Sequence, residues 1–323
     1  MEMARALALL CFALLAAAPA AAADAGGVAA PPPGSKPAKP RAGGGTGQTG
    51  GLRPGDRRAG REAARRRKIR RLRAAPVLAA FELRSPKLFQ YGGVEPVTFR
   101  IDSRAKTVKV RLYVVPAAGG KAVATIELGE LSTRATHSAA LDPNTLTPGS
   151  YRLRIAARDG RGRALRRARA AAAATAEFGV YGHRFPLLGP FSWGNEGSRF
   201  GAPRSGHTHQ GQDLAAAEGT PVVTPHGGRV ETVQYQAKGA GHYVVVGGAD
   251  GRDYVFMHLR AGSILVRERQ AVRTGQRIGE VGNTGASSGA HLHFEIWEGG
   301  GGWYDGGHPV NPLPYLKSWD RYS

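Results

Sequence analysis

The sequence predicts an all-β chain: a β-sandwich followed by an antiparallel β-sheet domain. Three observations carry that expectation. Glycine (47) and proline (21) together make up about a fifth of the 323 residues, too much turn chemistry for a helical bundle. Segment after segment alternates apolar and polar side chains, the period of a half-buried strand. The ten histidines divide unevenly: only His137 precedes residue 180, so two regions of different character share one chain. With 41% hydrophobic residues, a packed core is within reach of both.

The amino terminus reads as an export signal over residues 1–23. Arg5 supplies a positive start, Ala6–Ala18 a short apolar run, and Ala21-Ala22-Ala23 a small-residue cleavage site. The run is shorter than a bilayer span. Cys11, the one cysteine, lies inside it, so the mature chain holds no disulfide and no multi-cysteine metal site. Leu9-Leu10 before it is unlike the small residue that precedes a lipidated cysteine. No later stretch approaches transmembrane length, so the expected destination is secreted or envelope-associated.

Residues 24–75 read as a disordered Pro/Gly/Arg-rich basic linker, too poor in large apolar side chains to offset the entropy of ordering. Its second half locates the charge. The net +21 resides almost wholly before residue 181, and residues 51–75 hold 11 basic against two acidic side chains. Such a run is a solvated tether or an adhesive for anionic cell-wall polymers. It carries no aromatic residue on which a base could stack, and nucleic acid is not expected outside the cell.

Residues 76–180 read as a β-domain. The strands are PVTFRID, TVKVRLYVV, AVATIEL and SYRLRIAARD, punctuated by Gly92-Gly93, Gly119-Gly120, Pro143-Asn144 and Pro148-Gly149. GSYRLRIAARDGRGR resembles the last hairpin of an immunoglobulin-like module, which implies a sandwich. Ala168–Ala176 reads as a poor strand or a hinge. In residues 181–323, TPVVTPHGGRVETVQYQ, HYVVVGGADGRDYVFMHL and HLHFEIWE read as successive strands of an antiparallel sheet.

The chemistry concentrates there. His209-Gln210-Gly211-Gln212-Asp213 places a histidine and a carboxylate four residues apart. His291-Leu292-His293-Phe294-Glu295 puts two imidazoles and a carboxylate on one strand face, because side chains at i and i+2 project together. His258 ends the apolar strand Tyr254–Leu259. A catalytic zinc takes three protein ligands and keeps one position open. His209, Asp213 and one histidine of the pair would supply three and leave a histidine beside the metal. His207 competes for a ligand place, His226 and His242 are expected in exposed turns, and His183 and His308 have no evident partner. Thr284–Gly289 reads as a glycine-rich hairpin lining a groove.

Residues 199–315 resemble the lysostaphin-type (LytM-type) zinc metallopeptidases of bacterial cell walls. The matching text is HQGQDLAAAEGTPVVTPHGGRV, GHYVVV, YVFMHL, VRTGQRIGEVGNTGASSGAHLHFEIW and VNPLPYL, in the family's order. The resemblance implies a sheet with a groove along one face and one zinc in it. It implies His209, Asp213 and His293 as metal ligands, His291 as the catalytic histidine next to the metal and His258 as a second non-ligand histidine. Ala217 and Ala290 stand where the family often has proline. The implied reaction is hydrolysis of peptide bonds in peptidoglycan cross-links or bridges by a zinc-activated water, with His291 as base and His258 stabilising charge on the tetrahedral intermediate. There is no HExxH, so a glutamate-base mechanism does not apply. Glu295 is expected to be a structural partner. The alternative is a non-catalytic wall-binding or hydrolase-activating protein of the same fold, and family members of that kind lack ligand histidines that this chain retains.

Overall fold

A computed structural model describes residues 54–73, 75–167, 174–303 and 305–323. The expected signal, the linker up to residue 53 and most of Ala168–Ala176 lie outside the described residues.

The basic run is not an extended tether throughout. Pro54–Arg73 forms a helix, α1. Alanine, arginine, lysine and glutamate are good helix formers, Pro54 sits in the first turn where its missing N–H is not needed, and Glu62 accepts from Arg66 one turn on at 2.9 Å. Reading the segment by hydrophobic burial alone missed this.

The sandwich strands are β1 (Val77–Leu83), β2 (Lys87–Phe89), β3 (Glu95–Asp102), β4 (Thr107–Pro116), β5 (Ala124–Ser132), β6 (Thr136–Leu141), β7 (Gly149–Asp159), β8 (Arg166–Arg167) and β9 (Thr175–Tyr181). One sheet has the order β6-β3-β1-β8, the other β2-β9-β7-β4-β5. Strand β4 shows the alternation at work: Val108, Val110, Leu112 and Val114 are buried and the residues between them are not. They meet Leu78, Val97, Phe99 and Ile101 from the opposite sheet in one core.

The second domain comprises β10 (Phe191–Ser192), β11 (Pro203–Arg204), β12 (His207–Thr208), β13 (Gln212–Ala216), β14 (Pro221–Val223), β15 (Gly228–Gln236), β16 (Gly241–Gly248), β17 (Asp253–Leu259), β18 (Ala271–Val272), β19 (Arg277–Glu280), β20 (His291–Glu298), β21 (His308–Val310) and the short helix α2 (Leu313–Asp320). Its main sheet runs β10-β13-β20-β17-β16-β15-β18, with β21 also on β20, and every pairing is antiparallel.

The sheet is covered on both faces, which places the site. Leu292, Phe294 and Ile296 of β20 join Tyr254 and Phe256 of β17 in the main core. The other face carries a smaller apolar cluster of Ala240, Tyr243, Val245, Val255 and Trp297, with Met257 and Trp303 packed against it. His291, His293 and Glu295 share Trp297's parity on β20, so the strand that builds the core on one side presents the imidazoles on the other.

Candidate metal centre and active site

Strands β13 and β20 are hydrogen-bonded neighbours with Asp213 directly opposite His293. His209 reaches them from the loop before β13. Its Nε2 lies 3.1 Å from Asp213 Oδ1 and 2.9 Å from His293 Nδ1, and His293 Nδ1 lies 2.9 Å from the same oxygen. Three ligand atoms therefore form a triangle with edges near 3 Å, the spacing of donors that share one small cation.

The outward nitrogens explain why those lone pairs point inward. His209 Nδ1–H donates to the Arg199 carbonyl at 2.8 Å, which leaves Nε2 bare. His293 Nε2–H donates to Glu295 Oε1 at 2.8 Å, which leaves Nδ1 bare. Glu295 is itself buried and accepts from Trp297 Nε1 at 2.7 Å. Carbonyl–histidine and carboxylate–histidine pairs of this kind set tautomer and ring orientation at metal sites. Two bare imidazole nitrogens and a carboxylate oxygen in mutual contact repel one another unless a cation or proton sits among them. The donor set suits zinc.

Without a metal, protons take that place. Burial works against charge on His293, but Asp213 and Glu295 outweigh it and hold the ring up to about 9. Burial also opposes the Asp213 carboxylate, but hydrogen bonds from His209 and His293 hold its pKa well below the usual range. Arg204 steadies the free oxygen, with Nη2 3.2 Å from Asp213 Oδ2. Gly211, between the two ligands of the HQGQD segment, is needed for space: a Cβ there would lie 2.8 Å from His293 Nε2.

His291 and His258 stand beside the triangle with ring centroids 4.7 Å apart. His291 Nδ1–H donates to the Gly289 carbonyl at 2.7 Å, and its bare Nε2 lies 3.7 Å from Asp213 Oδ1. His258 Nδ1–H donates to the Thr284 carbonyl at 2.8 Å, so its Nε2 also faces the groove unprotonated. Burial, reinforced by His291 and His293, pushes His258 down to about 4. Alternation along β17 would send His258 to the core face with Tyr254 and Phe256. A left-handed φ of 61°, costly for a non-glycine residue, breaks the alternation and puts the ring in the groove.

All five expected residues thus meet in one groove of about 720 Å³, whose rim includes Ala286, Ser287 and Ser288 of the expected glycine-rich hairpin. His207 lines the groove without joining the triangle and approaches the Ser205 carbonyl at 3.2 Å. Two expectations are corrected. His226 is buried, against Tyr91 and Gly227, rather than in an exposed turn. His242 is half-buried within β16, opposite Leu259. His183 does have partners: Asp250, Tyr254 and the face of Trp319. Arg204, Trp303 and the carbonyls of Arg199, Thr284 and Gly289 escaped the sequence reading. Backbone acceptors leave no residue-type signal, and Arg204 had no spacing to mark it.

The groove on the β-sheet holds two histidines and an aspartate that could bind one metal ion, with two further histidines beside them. Residues 207–312 match peptidase family M23, so that stretch carries an M23 peptidase domain. Over 105 residues the chain is 43% identical to an uncharacterized metalloprotease of Haemophilus influenzae, covering 32% of this chain and 20% of that protein. It is 35% identical over 132 residues to the murein hydrolase activator NlpD of Escherichia coli, covering 40% and 32%. It is 43% identical over 88 residues to the peptidoglycan DD-endopeptidase ShyA of Vibrio cholerae, covering 27% and 20%. The chain thus spans a fifth to a third of these relatives' lengths. Among solved structures, the catalytic domain of the prophage-encoded M23 protein EnpA from Enterococcus faecalis is 32% identical, with 40% of this chain and 95% of that one covered and a TM-score of 0.34. Lysostaphin from Staphylococcus simulans is 28% identical, with 39% and 50% covered and a TM-score of 0.34.

Proposed function

We propose that the protein is an exported zinc metalloendopeptidase that hydrolyses peptide bonds in peptidoglycan cross-links or bridges. The carrying observation is the closed triangle of His209 Nε2, Asp213 Oδ1 and His293 Nδ1, with both outer ring nitrogens already committed elsewhere. These three residues would hold one zinc ion, which when bound acidifies a water and polarises a carbonyl.

The chain's own groups do the rest. His291 takes a proton from the attacking water at its bare Nε2 and returns it to the departing amide nitrogen. Gly289 holds that ring at the required tautomer. His258, locked by Thr284 with Nε2 bare, accepts a hydrogen bond that orients the water. It can donate to developing negative charge only once protonated, which its burial opposes. Arg204 holds the outer oxygen of Asp213 and so aims the carboxylate.

The test is release of amino groups from purified peptidoglycan by the full chain, with and without a zinc chelator and beside His293→Ala. Chelator-sensitive release that disappears in the variant supports the peptidase, and fragment masses identify the bond. No release from a folded, zinc-loaded protein would overturn it in favour of a non-catalytic role; the relative NlpD is a murein hydrolase activator.

A further inference from the structure

A second cleft lies away from the histidines. Its volume is about 1280 Å³. One wall is α1, through Arg67, Lys68 and Arg70. The other is the end of the sandwich, through Arg104 and Lys106 on the β3–β4 turn and Arg161 on the turn after β7. All six are exposed, and none is in an ion pair among the described residues.

Hydrogen bonds tie down the two turns that carry the cations of the sandwich wall. Asp159 is buried beneath Arg161 and accepts from the backbone N–H of Arg161 at 3.0 Å and of Arg163 at 2.9 Å. The Arg163 guanidinium closes on its other oxygen at 2.7 Å. That pairing consumes the one carboxylate that lines the cleft and leaves those six cations without a counter-ion there. On the neighbouring turn, Thr133 donates through Oγ1 to the Ala105 carbonyl and through its N–H to the Lys106 carbonyl. Unpaired cations brought together repel one another, which makes the cleft unfavourable until an anion enters it.

We infer that this cleft binds a linear phosphate-bearing polymer, a chain of phosphodiesters laid between α1 and the sandwich. Arginine dominates the lining, and its planar fork matches a phosphate's oxygens two at a time. The geometry is two-walled, which admits a strand rather than a flat bilayer. Ile69 is the one large apolar side chain between residues 58 and 70, so that stretch of α1 offers little apolar surface to sink into lipid. No aromatic residue lines the cleft, so stacked bases have no platform. The inference is independent of the peptidase reading, because binding is measured without hydrolysis.

The experiment measures binding of the full chain to a synthetic poly(glycerol phosphate), with polyglutamate of equal charge, a DNA duplex and phosphatidylglycerol vesicles alongside. One variant reverses the sandwich wall (Arg104→Glu, Lys106→Glu, Arg161→Glu). A second neutralises it with glutamine at the same exposed positions, so that a folding defect in the first is recognisable. A third reverses α1 (Arg67→Glu, Arg70→Glu). Each set is expected to weaken binding by about tenfold or more and to flatten its salt dependence, since each lost phosphate contact releases fewer counterions. Far-UV circular dichroism should match the wild type in every variant. Binding that responds to the α1 variant but stays within twofold of wild type in both sandwich variants would overturn the two-walled site. Equal or tighter binding to polyglutamate, DNA or vesicles would overturn the phosphate-polymer assignment.

Discussion

Two clusters in this chain look alike by composition. His209, Asp213 and His293 form one; His183, His226 and Asp250 form the other, and in each the three ligand-type atoms lie within 4.8 Å of one another. They differ in where the protons are. In the first, the outer nitrogens donate to Arg199 and Glu295, and three lone pairs converge. In the second, Asp250 Oδ2 already accepts from Tyr254 at 2.6 Å, His183 Nε2 at 2.9 Å and Arg252 at 3.3 Å. His226 Nδ1–H donates to the Gly227 carbonyl, and the two rings pack on Tyr91 and Trp319. Three donors thus crowd one oxygen of Asp250, whereas Arg204 takes only the outer oxygen of Asp213 and leaves the other to the triangle. Two imidazoles and a carboxylate make a metal site when their lone pairs lack donors, and a structural brace when they do not.

The largest effect separating the two should come from ligand removal. His293→Ala is expected to abolish bound zinc and peptidoglycan hydrolysis together, whereas Asp250→Asn should retain one zinc per chain by elemental analysis. A second metal in the wild type, lost in Asp250→Asn, would break the comparison. Next comes His291→Ala, which should keep the metal and lose about 100- to 10,000-fold in rate, the scale of a general base. Full rate with zinc bound would remove His291 from its role.

Glu295→Gln should act more gently. It keeps the volume and one acceptor for His293 but loses the charge, so zinc affinity measured by chelator competition is expected to fall about 10- to 100-fold. Unaltered affinity would reduce Glu295 to a packing residue.

The smallest effects belong to the brace. Asp250→Asn should cost about 1–3 kcal/mol in urea unfolding, because Tyr254 and His183 lose a charged acceptor. The pH dependence follows from two depressed groups. Burial lowers His226, so the fold favours its neutral form; that contribution is intact above about pH 6.5 and is lost as the pH falls below it. Burial opposes the Asp250 carboxylate, but hydrogen bonds from His183 and Tyr254 hold its pKa below the usual range. Its contribution is present above about pH 4 and is lost on further acidification. Both changes destabilise in acid. The thermal midpoint should drop between pH 7 and 5, and the drop should be shallower in His226→Gln.

The residues that needed only local geometry were legible in the sequence. His291, His293 and Glu295 share a face because a strand has period two, and Glu295 proved to be the structural partner that this spacing suggested. His209 and Asp213 stood at a spacing whose meaning came from the family resemblance. The alternation along β3, β4 and β7 marked strands that the structure contains. Strands β1, β2, β6, β8 and β9 were not legible, being short or without clean alternation, and neither was α1, whose good helix formers offset its lack of large apolar side chains.

Residue types, strand periods and charge distribution are properties of the chain, and they determined that this molecule has a β-rich, histidine-bearing domain after a basic arm. Which histidines converge was decided by the pairing of Asp213 with His293 across two strands 80 residues apart. That His258 enters the groove was decided by one left-handed residue that overrides the parity of β17. That His226 is buried was likewise decided by packing. The physical reason is the same in each case: side-chain direction is local, but proximity between distant segments depends on register and domain packing, which no short stretch of sequence encodes.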